Sequence, residues 1–501
     1  MKQPLNFIKK IKENYILITI FFIFILIKIV TATKVHQIIW DEAVYIGMGK
    51  FLFSFGKAGL WESIRPLGLP ILLGAIWKLK LNMIIFAEIL AVLFSLGNIF
   101  LVYLITKETF NKTTATIASF MLSITPLFFL YSSYILTGIT STFFALLAIY
   151  IYISKENLPL VGFFTALTFL FRFPQGLLLV AILFSIFINE IITRHSIKNT
   201  LKKLKVSVKK SYYPFILSFS LTILPFLIFN FLIYRKYTSK VYHAIFRPFI
   251  LGFSHQANPL HAINSIISNI SHYCSILIEQ NWLIIFIFLA IFFFIKNKEY
   301  KNHKTTTIFI ILTIYWLYFT LIINKQPRFS LAFLPYLVIL SAYGIYQFTQ
   351  LIKKQKYYIK YPIYTILLIF TVFSISNSVN QINEEFEWRV SYEFPITTEF
   401  QKYFQNNPIQ GPILTTDPVL STYTDNKYVP YYFSVNEGIQ IYIQNRLKAN
   451  AVIYSPSSFV CYDEDCEKKQ QDLFTDIQNR FTKVFEEQYN NKTYYIFTTD
   501  K

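Results

Sequence analysis

Apolar residues come in long blocks with short basic connectors over the first three quarters of the chain, and in short runs between polar stretches over the last quarter. A helix needs ~20 mostly apolar residues to cross a bilayer, with a range of about 17–25. By that measure the pattern predicts eleven spans, over residues 15–33, 82–106, 113–131, 140–154, 158–172, 174–193, 213–234, 281–296, 305–323, 329–349 and 361–378. The first block follows Lys9, Lys10 and Lys12 and has no small-residue cleavage site after it, so it reads as a retained anchor rather than a signal peptide. Two connectors are too long to be simple links. In residues 34–81 the apolar stretch Leu67–Leu79 is too short to span and predicts a helix at the membrane interface, and residues 45–56 predict a short amphipathic helix. Residues 235–280 carry Arg235, Lys236, His243, Arg247, His255, His261 and His272. From about residue 380 strands are expected over 413–416, 428–433, 451–455, 482–486 and 493–498, with helices over 436–448 and 467–480. The expected fold is mainly α: a polytopic membrane helical bundle over 1–379 and a small extracytoplasmic α/β domain over 380–501.

Composition removes the alternatives. The chain is 54% hydrophobic and 15% charged, against about 25% charged in soluble proteins. That excludes disorder, a collagenous fibre and an ordinary cytosolic enzyme. The formal charge of +20 does not point to nucleic acid, because residues 1–379 hold 36 basic and 10 acidic residues while 380–501 hold 11 and 17. The positive charge belongs to the connectors, where it orients the chain. With the N-terminus in the cytoplasm, 22 basic residues fall in inner connectors and 13 in outer ones, and an odd number of spans leaves the C-terminal domain outside. The expected location is the cell membrane, multi-pass. Three cysteines exclude a disulfide scaffold. Cys461 and Cys466, flanking Tyr-Asp-Glu-Asp, suit either a short extracytoplasmic disulfide or two free thiols.

Chemistry concentrates after the first span, in Trp40-Asp41-Glu42-Ala43-Val44-Tyr45. Asp41 is the only aspartate in the first 416 residues. A carboxylate at a membrane face must be solvated or paired. Asp41 there suits a general base that takes a proton from an acceptor hydroxyl or amine. Equally, Asp41 or Glu42 suits the N-terminus of a helix over 43–55 through its macrodipole. Arg172, Lys325 and Arg328 fall at outer span ends, where a basic residue suits a snorkelling side chain, and Arg247 falls in the second long connector.

These stretches, taken in order, resemble the GT-C class of membrane glycosyltransferases, in particular the protein O-mannosyltransferases and the lipid A aminoarabinose transferase. The first-loop Asp41-Glu42 and Tyr45, Arg65-Pro66-Leu67, Thr125-Pro126-Leu127, Ser141–Tyr150, Phe171-Arg172-Phe173-Pro174 and Lys325-Gln326-Pro327-Arg328-Phe329 all carry the likeness, over residues 1–350. The resemblance implies a hexosyl or pentosyl group moved from a polyprenyl-phosphate carrier to a protein, lipid or glycan acceptor outside the cytoplasm. It implies Asp41 and Glu42 as catalytic residues, and Lys325, Arg328, Arg172 and, more weakly, Arg247 as ligands of the donor phosphate. No nucleic acid, metal ligand set or firm cofactor is expected, and a divalent cation stays open. No Trp-Trp-Asp sequence is present, which disfavours an oligosaccharyltransferase. One position departs from the family: Gly138 stands where a second outer-loop acidic residue is expected. The competing readings are a transporter or lipid flippase, disfavoured because Glu88 is the only acidic residue in mid-span, and a non-catalytic scaffold on a transferase fold, which Gly138 keeps open.

Overall fold

A computed structural model describes residues 2–32, 37–194, 212–235, 238–254, 259–322, 325–391, 401–432, 434–459, 465–489 and 492–499. The basic run from Lys198 to Lys210, His255 and Cys461 lie outside these residues. The chain forms two compact units: Met1–Thr33 with Glu88–Glu385, and Lys34–Ala87 with Phe386–Lys501.

The first unit is a multi-pass helical bundle. Its opening helices are α1 (Lys2–Ala32), α4 (Met83–Thr109), α5 (Lys112–Ile124), α6 (Pro126–Tyr131), α7 (Thr137–Ser154), α8 (Leu158–Phe171) and α9 (Leu177–Arg194). Further helices cover Tyr213–Tyr234, Pro259–Gln280, Ile287–Lys296, His303–Leu321, Leu334–Lys353 and Tyr357–Ser391. Among the described residues seven helices are long and apolar enough to cross a membrane, or eight if one bent pair counts as one span, against the eleven expected. Part of the difference is length, since the expected span 158–172 forms a helix of only 14 residues, Leu158–Phe171, and part lies in segments that sequence alone reads as continuous. The expected span 113–131 is cut at Thr125, which is extended (φ −73°, ψ 117°) before Pro126, since proline disfavours helix in the residue before it. The expected span 281–296 starts as a 3-10 turn after a 118° bend at Asn281. The two breaks satisfy each other. Asn281 Nδ2 donates to the Met121 carbonyl (3.1 Å) and to Thr125 Oγ1 (3.2 Å), and Gln280 Oε1 accepts from Leu127 N (2.6 Å). Broken helices survive in a membrane only where the freed backbone groups find such partners.

One charge lies inside the first span. Lys28 is buried, its Nζ donating to Ser133 Oγ (2.8 Å) and to the Phe129 carbonyl, 3.7 Å from the Phe129 ring centroid.

The second unit is discontinuous in sequence. It joins α2 (Trp40–Phe53) and α3 (Gly68–Lys78) to a five-stranded sheet. The strands are β1 (Pro412–Thr415), β2 (Lys427–Pro430), β3 (Ala451–Tyr454), β4 (Thr482–Tyr489) and β5 (Lys492–Thr498), in the order β2-β1-β3-β5-β4. β1 runs parallel to β2 and β3, while β5 is antiparallel to β3 and β4. Helices Val435–Asn445 and Cys466–Arg480 bury Tyr442, Leu473 and Ile477 against Leu414, Val452 and Phe497 of the sheet. Gly59 of the first loop extends β2 by one bridge, its N donating to the Asn426 carbonyl and its carbonyl accepting from Tyr428 N (both 2.8 Å). Cys466 is disulfide-bonded, and Cys274 is free and exposed.

One expectation for the first loop changes and another takes definite form. The helix over 45–56 is not amphipathic: it begins at Trp40, and residues 42–50 are all buried. The stretch at Leu67–Leu79 does form a helix, Gly68–Lys78, but it buries Leu69, Leu73 and Ile76. It packs closely on α2: a Cβ on Gly74 would lie 2.5 Å from the Gly49 carbonyl oxygen, so glycine permits the contact.

Lys50 fastens the other side of α2. It is buried, and its Nζ reaches the carbonyls of Thr422 (2.9 Å) and Thr424 (2.8 Å) and Asp425 Oδ1 (3.1 Å). Burial pulls its pKa below the usual lysine value, and Asp425 only partly offsets that.

Candidate active site

The site residues fall in both units, and each group has its own geometry. In the second unit the backbone is extended at Ile39 (φ −83°, ψ 166°) and turns helical at Trp40. Ile39 N donates to Glu42 Oε2 (2.9 Å), so Glu42, fully buried, closes the helix N-terminus from its third position. The neighbouring carboxylate is placed differently. Asp41 is 15% exposed and its Oδ1 accepts from Arg65 Nη2 at 2.7 Å. Of the two readings open for the acidic pair, capping falls to Glu42, while Asp41 reaches solvent.

Arg65 is forked. Its Nη2 goes to Asp41 and its Nε to Glu62 Oε2 (2.8 Å), and the guanidinium lies 5.5 Å from the Tyr45 ring centroid. Burial alone would lower its pKa, but Glu62 and then Asp41 outweigh this and hold the proton well above the ordinary arginine range. The other Glu62 oxygen accepts from the Tyr432 hydroxyl, and the Tyr432 ring meets Trp40 edge-on at 4.6 Å. Burial, and then the Glu62 charge, keep that hydroxyl protonated well above the usual tyrosine range. Sequence reading missed Glu62, Arg65 and Tyr432 as a group. Arg65 was visible only as part of Arg-Pro-Leu, and the 370-residue separation of Glu62 from Tyr432 hides their contact.

In the first unit Arg172 ends α8 in an extended conformation (φ −156°, ψ 112°) and is only 9% exposed. Its guanidinium lies 5.3 Å from the ring centroid of Phe329, which brings it to the 325–329 stretch. Gln175 ties the surroundings together, its Nε2 donating to Ser141 Oγ (3.0 Å) and Thr142 Oγ1 (3.1 Å) and its carbonyl accepting from Tyr315 OH (3.1 Å). Thr142 Oγ1 in turn donates to the Leu331 carbonyl (3.2 Å). Lys325 Nζ donates to Ser268 Oγ (3.1 Å), and Arg328 Nε to Gln326 Oε1 (2.5 Å). Among the described residues Gln175 Oε1 and the Tyr273 hydroxyl are buried without a hydrogen-bond partner. Arg247 stands on a different helix, Arg247–Ser254, with its guanidinium 5.7 Å from the Tyr234 ring centroid.

Gly138 at the start of α7 faces this group. A Cβ there would lie 3.2 Å from Arg172 Nη1 and 3.0 Å from Leu331 Cδ1. The space that an acidic side chain at 138 would need is thus bounded by a guanidinium. Among the described residues no cluster of three or more His, Cys, Asp or Glu is arranged to hold a metal ion.

Residues 65–209 match the family model of dolichyl-phosphate-mannose-protein mannosyltransferase. The chain is similar in structure to ArnT from Cupriavidus metallidurans, solved with undecaprenyl phosphate, at a TM-score of 0.57 and 10% identity, over 96% of each chain. The fold is that of the GT-C membrane glycosyltransferases. The oligosaccharyltransferase of Archaeoglobus fulgidus in its apo form shares it at a TM-score of 0.56 and 11% identity, over 90% of this chain and 70% of that one. The archaeal oligosaccharyltransferase AglB from the same organism, in complex with an inhibitory peptide and a dolichol-phosphate, gives 0.55 and 11%, over 97% and 74%. By sequence the chain matches no curated protein. The matched region 65–209 begins at Arg65 and includes Gly138 and Arg172 but not Asp41.

Proposed function

We propose that the chain transfers a hexosyl or pentosyl group from a polyprenyl-phosphate carrier to a protein, lipid or glycan acceptor on the extracytoplasmic side of the membrane. The observation that carries this reading is the solvent-reaching carboxylate of Asp41, held by a guanidinium at the head of a buried helix. A general base needs such a group, fixed in place and still accessible. Asp41 takes the proton of the acceptor hydroxyl or amine as that atom bonds to the anomeric carbon. The bond from that carbon to the phosphate oxygen breaks, and the polyprenyl phosphate leaves with its electron pair. Arg172, Arg328 and Lys325 supply positive charge for that leaving group, Arg172 from a buried position where charge is weakly screened. ArnT bound to undecaprenyl phosphate and AglB in complex with a dolichol-phosphate support the donor class.

The test is incubation of membranes containing the full-length protein with radiolabelled polyprenyl-phosphate mannose and, in parallel, a polyprenyl-phosphate pentose. Label should move from the lipid carrier to a second molecule in one of the two. Retention of all label on both carriers, at the level of membranes lacking the protein, overturns the reading.

The reading assigns the N-terminus to the cytoplasm and the unit built from Lys34–Ala87 and Phe386–Lys501 to the outside. The excess of basic residues in the connectors proposed as inner supports it. A reporter active only in the cytoplasm, fused after Lys501, is expected to stay silent, and a strong signal reverses the orientation.

Arg328 offers a test of the donor phosphate. Arg328→Lys keeps the charge and loses the planar fork, while Arg328→Ala loses both. Apparent donor KM should rise in that order, by about 10-fold or more for the alanine variant if the contact is made in the ground state. Unchanged donor saturation in both variants assigns Arg328 to snorkelling.

A further inference from the structure

We infer that Tyr432 and Glu62 are positioning residues for Asp41: they fix how the single guanidinium of Arg65 is divided between two carboxylates. The inference rests on the proposed role of Asp41 for its link to turnover, and on geometry alone for the division itself.

The chain of contacts is short. Tyr432 donates to one oxygen of Glu62, Arg65 Nε donates to the other, and Arg65 Nη2 donates to Asp41. Glu62 and Tyr432 are both buried, so water does not replace a missing partner. An ion pair in such surroundings answers to every change in its partners. The Tyr432 hydroxyl satisfies part of Glu62 and leaves more of the guanidinium to Asp41. Trp40, next to Asp41, packs on the same Tyr432 ring, so one residue of the C-terminal region touches both ends of the arrangement.

Among the described residues, the charged groups on the elements packed around Asp41 are engaged elsewhere. On its own helix Glu42 takes the Ile39 N–H, Tyr45 lies under the Arg65 guanidinium, and Lys50 is bound to Asp425. Lys78 is at the far end of α3. In the C-terminal region Asp417 accepts from Val419 N (2.8 Å), and the Tyr423 hydroxyl is pushed up to about 12, chiefly by burial and then by Glu42. Arg65 meets Asp41 directly, Nη2 to Oδ1 at 2.7 Å.

Two substitutions should move Asp41 in opposite directions. In Tyr432→Phe, Glu62 loses its neutral donor and draws Arg65 toward itself. Asp41 keeps less of the positive charge and takes up a proton at higher pH. In Glu62→Gln, a negative neighbour disappears and Arg65 serves Asp41 alone, so Asp41 takes up its proton at lower pH and becomes a weaker base. Each displacement should be roughly 0.5–1 pH unit, below the 1–3 units that an adjacent opposite charge produces. A merely structural role for Tyr432 predicts lower stability and no such opposition.

The readout is the protonated-carboxyl infrared band of the purified full-length protein, assigned to Asp41 by its loss in Asp41→Asn and titrated in both variants. Transfer of labelled mannose from polyprenyl-phosphate mannose is measured beside it. Opposite displacements of the titration, with transfer lower in Glu62→Gln, where Asp41 is the weaker base, than in Tyr432→Phe, support the inference. Titrations that do not move, or that move together, overturn it, whatever happens to transfer. Opposite displacements with undiminished transfer by Asp41→Asn support the division of charge and overturn the catalytic reading instead. Melting curves identify a variant that fails to fold, and the remaining one still decides the sign.

Discussion

Asp41→Asn is expected to lower sugar transfer by about 10²–10⁴-fold, the range general-base catalysis typically contributes, with little change in expression. Asparagine keeps the size of the side chain, and its oxygen still accepts from Arg65 Nη2, where Asp41 Oδ1 now does so at 2.7 Å. What it loses is the ability to take up a proton as a carboxylate does. Glu62 remains on Arg65 Nε, so the guanidinium is not left without a counter-charge. Glu42→Gln serves as the comparison. Its amide oxygen can still accept from Ile39 N, and Glu42 is buried beneath the helix start, so transfer should change far less. If Asp41→Asn keeps most of its transfer in a detergent-solubilised preparation with normal melting behaviour, Asp41 is an ion-pair partner and not the base.

The second large effect is expected at Gly138. An aspartate there would begin 3.2 Å from Arg172 Nη1, close enough for its carboxylate to form a direct ion pair with that guanidinium. Arg172 is nearly buried, and a charge-assisted pair in such surroundings is strong. If Arg172 serves the donor phosphate, the new carboxylate competes with it, and transfer should fall by about 10-fold or more with a raised donor KM. Gly138→Ala separates charge from bulk: its Cβ presses on Leu331 Cδ1 at 3.0 Å, a side-chain tip that can shift, so its loss should be smaller. Neither variant should acquire dependence on Mg²⁺ or Mn²⁺ after treatment with EDTA. A Gly138→Asp protein that gains activity when the cation is restored would show that position 138 belongs to a metal site and that the guanidinium yields to it.

The sequence announces the sheet region well, because each strand is short and bounded by turn residues. Strands expected at 451–455 and 493–498 appear as Ala451–Tyr454 and Lys492–Thr498. Membrane spans are less legible. Thr125, Pro126 and Asn281 sit in apolar blocks, and whether such blocks bend depends on partners elsewhere, here Asn281 reaching Thr125 and Gln280 reaching Leu127. The sequence also locates the acidic pair without separating its members. Asp41 and Glu42 are adjacent and chemically alike, and only the turn at Ile39 decides which one faces inward. Arg172 and Phe329 were legible separately, each from its local pattern, whereas Gly138 read as a missing carboxylate until the guanidinium beside it was seen.

The attachment of Lys50 to the carbonyls of Thr422 and Thr424 also constrains biosynthesis. The lysine leaves the ribosome 372 residues before the first of those acceptors. At about 5–20 residues per second the delay is roughly 20–75 s. Throughout that interval the helix bearing Asp41 has been made, but neither the sheet edge that Gly59 joins nor the tyrosine that holds Glu62 exists. The first loop must wait with its apolar faces uncovered. A nascent chain that stalls late therefore carries most of its membrane helices and an unfinished first loop, a species for quality-control proteases to recognise by what its last segment has yet to cover.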